Sequence, residues 1–150
     1  MRLYFDTAVL GALADHEDLR RVTLTRGLLG AVGKGVHEAV ISNVVQEELE
    51  RAPARVGKLV LPELRAVEFE LALEDEASIV LFAEYEAARI VPVRYRNDLR
   101  HVAVATIAGV DALVSWNFRH LVNVRTRRTV HAVNLRLGYP LVEIVSPEEV

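Results

Sequence analysis

The hydrophobic positions of this chain change period several times, and the changes mark out its elements. Arg2-Leu3-Tyr4-Phe5 is a short apolar run that reads as a buried strand. Ala8, Val9, Leu10, Leu13 and Ala14 then recur at helical spacing, and a second amphipathic helix is expected from about Glu17 to Val32, stopped by Gly33-Lys34-Gly35. Ala39-Val40-Ile41 is a β-rich run. Ser42 or Asn43 can cap the helix after it, with Gln46 in the capping-box position relative to Asn43. Pro53 and Pro62 break up a poorly patterned region. Glu74 to Arg89 is helical, its period marked by Ile79, Phe82, Ala83, Glu86 and Ile90, and Ile90-Val91-Pro92-Val93 is short and extended. Leu99 to Ala108 is helical, Ala112 to Trp116 a strand, Thr129 to Leu137 a helix ending at Gly138, and Leu141 to Val145 a last strand. Strands alternating with helices predict an α/β fold with a mainly parallel sheet.

Composition changes this picture little. A chain of 150 residues with 51% hydrophobic and 26% charged positions is expected to form one domain, residues 1–150, with an ordinary core. The absence of cysteine excludes disulfides, cysteine-based zinc sites and thiol nucleophiles, and fits a reducing cytoplasm. No secretory signal is expected, because the N-terminus runs straight into the first strand. The most apolar long stretch, His101 to Phe118, is interrupted by Gly109-Val110-Asp111, so it reads as a helix followed by a strand and not as a membrane span.

Charge adds more. The net value is −3, yet Glu63 to Glu86 holds eight acids against the single base Arg65. Ala112 to Val142 holds no acid and five arginines: Arg119, Arg125, Arg127, Arg128 and Arg136. That asymmetry suits a local basic surface facing a polyanion, or equally a solvated face paired with the acidic half.

The candidate chemistry lies at the ends of the predicted strands. Asp6 closes the first strand and Asn117 the strand Ala112–Trp116; Glu48 sits one turn into the helix after Ala39-Val40-Ile41, and Asp98 opens another helix. In a parallel sheet, strand C-termini and the following helix N-termini share the edge where ligands bind. Three acids and an amide there, without a histidine or cysteine partner in the set, point to a hard divalent ion such as Mg²⁺ or Mn²⁺ and to phosphate-ester hydrolysis. Each residue also has a plainer use. Asp6 can cap the helix starting at Thr7, Glu48 or its neighbour Glu47 can be merely solvated, Asp98 can be an N-cap, and Asn117 a turn residue. One shared cause explains all four more simply. Asp111 precedes its strand, belongs to the opposite edge, and is expected to serve the turn. Gly33-Lys34 is no phosphate-binding P-loop, because Leu28 and Gly35 stand where that motif needs Gly and Ser or Thr.

Four segments in order resemble the PIN-domain ribonucleases, and within them the VapC-type toxins of toxin–antitoxin pairs. They are Leu3-Tyr4-Phe5-Asp6-Thr7-Ala8-Val9-Leu10, Ile41-Ser42-Asn43-Val44-Val45-Gln46-Glu47-Glu48-Leu49, Asn97-Asp98-Leu99-Arg100-His101-Val102-Ala103-Val104-Ala105-Thr106, and Asp111-Ala112-Leu113-Val114-Ser115-Trp116-Asn117-Phe118-Arg119-His120-Leu121. The resemblance implies a parallel sheet with helices on both faces and an acidic pocket for Mg²⁺ or Mn²⁺. It implies cleavage of single-stranded RNA by an activated water, with Asp6 and Asp98 as principal ligands and Glu48 as a ligand directly or through water. Asn117 replaces a fourth acid often found in the family, which bears on a second metal. Ser115 and Thr7 are candidates to support the site through hydrogen bonds.

Arg119 and His120 are expected to contact RNA phosphate, with Arg125, Arg127 and Arg128 extending that surface. His101, one turn beyond Asp98, is equally suited to packing and to substrate. The apolar positions Val9, Leu13, Leu24 and Leu28 of the early helices would suit an antitoxin or a homodimer. Two other readings compete. A degenerate PIN module that binds RNA or protein without cutting is favoured by Asn117. A phosphoacceptor signalling domain is disfavoured by Thr7 after Asp6 and Ser146-Pro147 after the last strand, where that fold shows paired acids and a lysine.

Overall fold

Five short strands carry the fold in the computed structural model, which describes residues 1–150. They are β1 (Arg2–Phe5), β2 (Glu38–Ser42), β3 (Phe69–Ala72), β4 (Ala112–Val114) and β5 (Glu143–Val145). All neighbours pair in parallel, in the order β3-β2-β1-β4-β5. β1 is central, and Leu3, Tyr4 and Phe5 are fully buried. A strand covered on both faces needs an unbroken apolar run, which is why this segment shows no alternation.

The chain steps outward from β1 to β2 and β3, then crosses back to β4 and β5. Right-handed crossovers in opposite directions place their helices on opposite faces. Thus α1 (Thr7–Gly11), α2 (Leu19–Gly33), α3 (Asn43–Arg51) and α4 (Ala54–Arg65) belong to one half. Helices α5 (Glu76–Ala87), α6 (Asn97–Ile107) and α7 (Val124–Leu137) belong to the other. The result is the α/β architecture expected, with one core cluster of 35 buried hydrophobic residues. No helix is long and apolar enough to cross a membrane.

Several local expectations are corrected. The region around Pro53 and Pro62 is helix α4, since Pro53 precedes its first turn and Pro62 lies near its end. Edge strand β3 escapes detection because it is only partly buried, with Phe69 and Ala72 against the core and Glu70 and Leu71 exposed, and its acids Glu68 and Glu70 flank Phe69. Ile90–Val93 is not a strand; Pro92 caps a 3₁₀ turn, Val93–Tyr95. Helix α7 starts at Val124, where the Asn123 side chain accepts from the Thr126 amide. Val9, Leu13 and Leu28 are buried in the core and Leu24 is partly buried against it, so these four positions do not form an exposed apolar face.

The second half is tied by a polar link inside its core. The buried Tyr85 hydroxyl of α5 donates to Asn134 Oδ1 of α7 at 2.6 Å and lies 3.2 Å from Thr106 Oγ1 of α6. Burial pushes this phenol up to about 12. Tyr85→Phe leaves buried partners unsatisfied and is expected to cost about 1–3 kcal/mol in urea unfolding. An unchanged midpoint would show that the three helices are held by apolar packing alone.

Candidate functional site

The strand order reverses between β1 and β4, and such switch points are where open parallel sheets bind ligands. Phe5 pairs with Val114 and Tyr4 with Val40 and Leu113. One step further along, Asp6, Ser115 and Ser42 therefore leave the sheet side by side. Asp6 is 3% exposed and caps α1, its Oδ1 accepting from the Val9 amide at 2.9 Å. The cap expected of Asp6 is present. Burial pushes its carboxyl up to about 6, with the nearby Asp98 adding to the rise; the His101 ring, the Ser115 hydroxyl and the Val9 amide oppose it. No arginine or lysine pairs with it.

The pair Glu47-Glu48 is sorted by its neighbours. Glu47 turns to Arg100, 3.2 Å from its Nη2. Arg100 also binds Glu74, with Nε 2.9 Å from Oε2, and these hydrogen bonds hold the guanidinium pKa well above its usual value. Asn43 joins the same cluster, accepting from the Glu74 amide at 2.9 Å, so the expected capping box with Gln46 does not form. Glu48 faces the other way. It accepts from the Thr7 hydroxyl and from His101 Nε2, the latter at 3.1 Å. Burial raises its carboxyl, but hydrogen bonds from His101 and Thr7 and the Arg100 charge outweigh that and hold it below the ordinary carboxylate range.

Asp98 lies in the first turn of α6, one residue inside the helix and not at its cap. Burial raises its pKa, opposed by the hydrogen bond from Asn117 Nδ2 to Asp98 Oδ2 at 3.0 Å. The other end of the Asn117 amide accepts from the His120 backbone N–H at 3.0 Å, and the Asn117 N–H donates to Ser115 Oγ at 2.9 Å. Asn117 is thus fully engaged in orienting Asp98 and its own loop. Thr7 and Ser115 both act as hydrogen-bonding supports.

The residue that sequence reasoning left open is His101. It is 2% exposed, with Nδ1 2.7 Å from the Tyr4 hydroxyl, which is itself 2.6 Å from Ser42 Oγ. Whichever ring nitrogen carries the proton, the distances link Ser42, Tyr4, His101 and Glu48 in series. One buried chain of hydrogen bonds therefore runs from β2 through β1 and α6 to Glu48 on α3. The available signal was His101 three residues after Asp98, at the head of the apolar run Val102–Ala105.

No group of three or more His, Asp or Glu side chains converges as a ready-made metal cage. Mg²⁺ commonly takes one or two carboxylates and several waters. Asp6 and Asp98, mutually repelling and unpaired with any cation, are the hard-oxygen donors that fit such an ion. Of the expected RNA contacts, Arg119 and His120 border Asn117, and Arg125 and Arg128 are exposed on α7 with no ion-pair partner. Arg127 is instead bound to Glu149 at 3.2 Å. Asp111 lies at the opposite edge, accepting from the Arg2 amide at 2.7 Å. A separate apolar groove of about 380 Å³ between α3 and α4 is lined by Ile41, Val45, Leu49, Val60, Leu61 and Leu64, and not by Glu48.

No protein-family model matches the chain. No curated protein matches it either. Among solved structures, it is similar to a chain in the crystal structure of VapBC2 from Rickettsia felis bound to a DNA fragment from their promoter. The TM-score is 0.61 at 13% identity, over 97% of this chain and 98% of that one. At that identity the likeness shows a shared fold.

Proposed function

We propose that the protein is a Mg²⁺- or Mn²⁺-dependent endoribonuclease of the PIN class, cleaving single-stranded RNA, and the toxin of a toxin–antitoxin pair. The observation that carries this reading is Asp6: a buried carboxylate without a cationic partner, beside Asp98, at the switch point of a fold shared with one chain of a VapBC2 complex. Asp6 and Asp98 would hold the ion, with Glu48 reaching it directly or through water. When bound, it supplies a more acidic water and neutralises charge on the phosphate.

The chain's own residues do the rest. Asn117 fixes Asp98, and His101 and Thr7 fix Glu48 in its ionised form, ready to accept a proton from water. Arg119 and His120, with Arg125 and Arg128 beyond them, would receive RNA phosphates; Arg127 would join only on leaving Glu149. The groove between α3 and α4 is the surface we assign to an apolar segment of the antitoxin, since Val9, Leu13 and Leu28 are buried in the core.

Purified protein is expected to cut a labelled mixed-sequence RNA with Mg²⁺ or Mn²⁺ and to stop with EDTA. The second reading is a binding module without catalysis, favoured by Asn117 in place of an acid and by the engagement of Glu48 and Asp98 within the protein. Absence of cleavage by folded, partner-free protein with either ion would select it.

A further inference from the structure

Planar rings and guanidinium groups gather around His120, and two of them, Arg94 and Tyr95, have no part in the reading so far. Tyr95, in the 3₁₀ turn just before α6, stacks on His120 in the loop after β4, with centroids 4.1 Å apart and planes 29° from parallel. The Arg94 guanidinium lies 4.7 Å from the centre of the same tyrosine ring and that of Arg119 lies 6.0 Å away. Neither arginine has a carboxylate partner, whereas Arg96, between Tyr95 and α6, is paired with Glu86 at 3.3 Å. Two unpaired cations on one ring repel each other, and an anion between them would relieve that. The imidazole of His120 senses the same field: partial burial, then the Arg119 and Arg94 charges, hold it below its usual pKa.

The arrangement is built rather than incidental. Thr126 Oγ1 donates to the His120 carbonyl at 2.6 Å, and the amides of Leu121 and Val122 donate to the Asn117 carbonyl at 3.0 and 2.9 Å. The Tyr95 amide closes its own turn on the Pro92 carbonyl at 2.8 Å. The Tyr95 hydroxyl and the His120 ring nitrogens bond to nothing within the chain, so their polar edges are free for a ligand. Asn117 joins this cluster to the acids, since it accepts from the His120 amide and donates to Asp98.

We propose that Arg94, Tyr95, Arg119 and His120 form a nucleotide subsite for single-stranded RNA, stacking a base and gripping its phosphate next to the bond presented to Asp6 and Asp98. Bases stack on aromatic and guanidinium planes without regard to sequence, and arginine forks phosphate oxygens. A protein ligand would have to bring acidic side chains to the same point. The subsite rests on the nuclease reading for its orientation toward the acids, but its binding of RNA is separable from cleavage.

The test is fluorescence-anisotropy binding of a fluorescein-labelled, mixed-sequence single-stranded RNA to Asp6→Asn protein, with and without changes at Tyr95, Arg94 and Arg119. Tyr95→Ala is expected to weaken binding about tenfold, while Tyr95→Phe, which keeps the stack, stays within about twofold. Arg94→Ala and Arg119→Ala are each expected to flatten the salt dependence by about 0.7 in log K per log salt. Circular dichroism and thermal melting confirm that each variant is folded. Unchanged RNA affinity in both Tyr95→Ala and the double arginine variant overturns the subsite, as does loss of affinity for a protein partner with RNA binding intact. Wild-type protein that binds RNA through these residues yet never cuts it leaves the subsite standing and removes the nuclease reading. Cleavage by wild type with RNA affinity unaffected by these changes does the reverse.

Discussion

Asp6→Asn is expected to cut RNA cleavage on the order of a thousandfold while making the metal-free protein more stable. Lewis-acid stabilisation of a phosphoryl transition state is worth several kcal/mol, and each 1.4 kcal/mol is about tenfold in rate. An amide removes charge from the ligand set while keeping its shape and its cap on α1. The stability gain has a separate cause. Burial pushes Asp6 up from 3.8 to about 6. Near pH 3.8 and below, folded and unfolded chains both tend to hold the proton, and the penalty is absent. As pH rises toward about 6, the unfolded state loses its proton first, so stability falls, and above that the loss is complete. At about 1.4 kcal/mol per pH unit the full effect is roughly 3 kcal/mol. Urea unfolding in EDTA should show Asp6→Asn ahead of wild type by about 1–3 kcal/mol at neutral to alkaline pH, with the gap closing toward pH 4. Adding Mn²⁺ should raise the wild-type Tm more than that of the variant. Equal stability at every pH, together with equal response to Mn²⁺, would mean that Asp6 is paired in a way this structure does not contain.

His101→Leu is expected to be the second most damaging change. Leucine fills much of the ring's volume, so the main loss is hydrogen bonding: Tyr4 and Glu48 both lose a partner, one of them fully buried. Stability should fall by about 1–3 kcal/mol. Activity of the folded variant should fall about 10–100-fold, the range for removing a group that orients a metal-site ligand. A double-mutant cycle with Glu48→Gln distinguishes positioning from a general loss of structure. If His101 acts through Glu48, its change costs little activity once Glu48 is already altered, though the stability cost persists. Fully additive activity losses would assign His101 a role independent of Glu48.

Much of the site was visible in the chain because strand ends in a parallel sheet share one edge. Once Leu3–Phe5 and Ala112–Trp116 were read as strands, Asp6 and Asn117 had to fall together, and Asp111 had to fall on the other side. The helix around Val102–Thr106 was legible for the same reason, an apolar run on the core; in α5 the helix was read but not its face, since Ile79 and Ala83 are exposed and Leu81 and Tyr85 are the buried positions. Edge strand β3 and helix α4 were not, since a half-exposed strand and a helix bracketed by prolines carry weak patterns. The early helices misled: Val9, Leu13 and Leu28 look like an interaction stripe but are buried in the core.

The sequence by itself determined the alternation of strands and helices, the acids at the strand ends and helix starts, and the absence of thiol chemistry. These follow from local periodicity and residue type. Only the tertiary structure decided which acid of Glu47-Glu48 faces the site, because Arg100, 53 residues from Glu47, claims one of them. It alone set Asn117 as the brace of Asp98, made His101 the hinge of a buried chain from Ser42 to Glu48, and laid Tyr95 on His120. Those roles depend on which side chains meet across the sheet and on which are screened from water, and neither is written in any single segment.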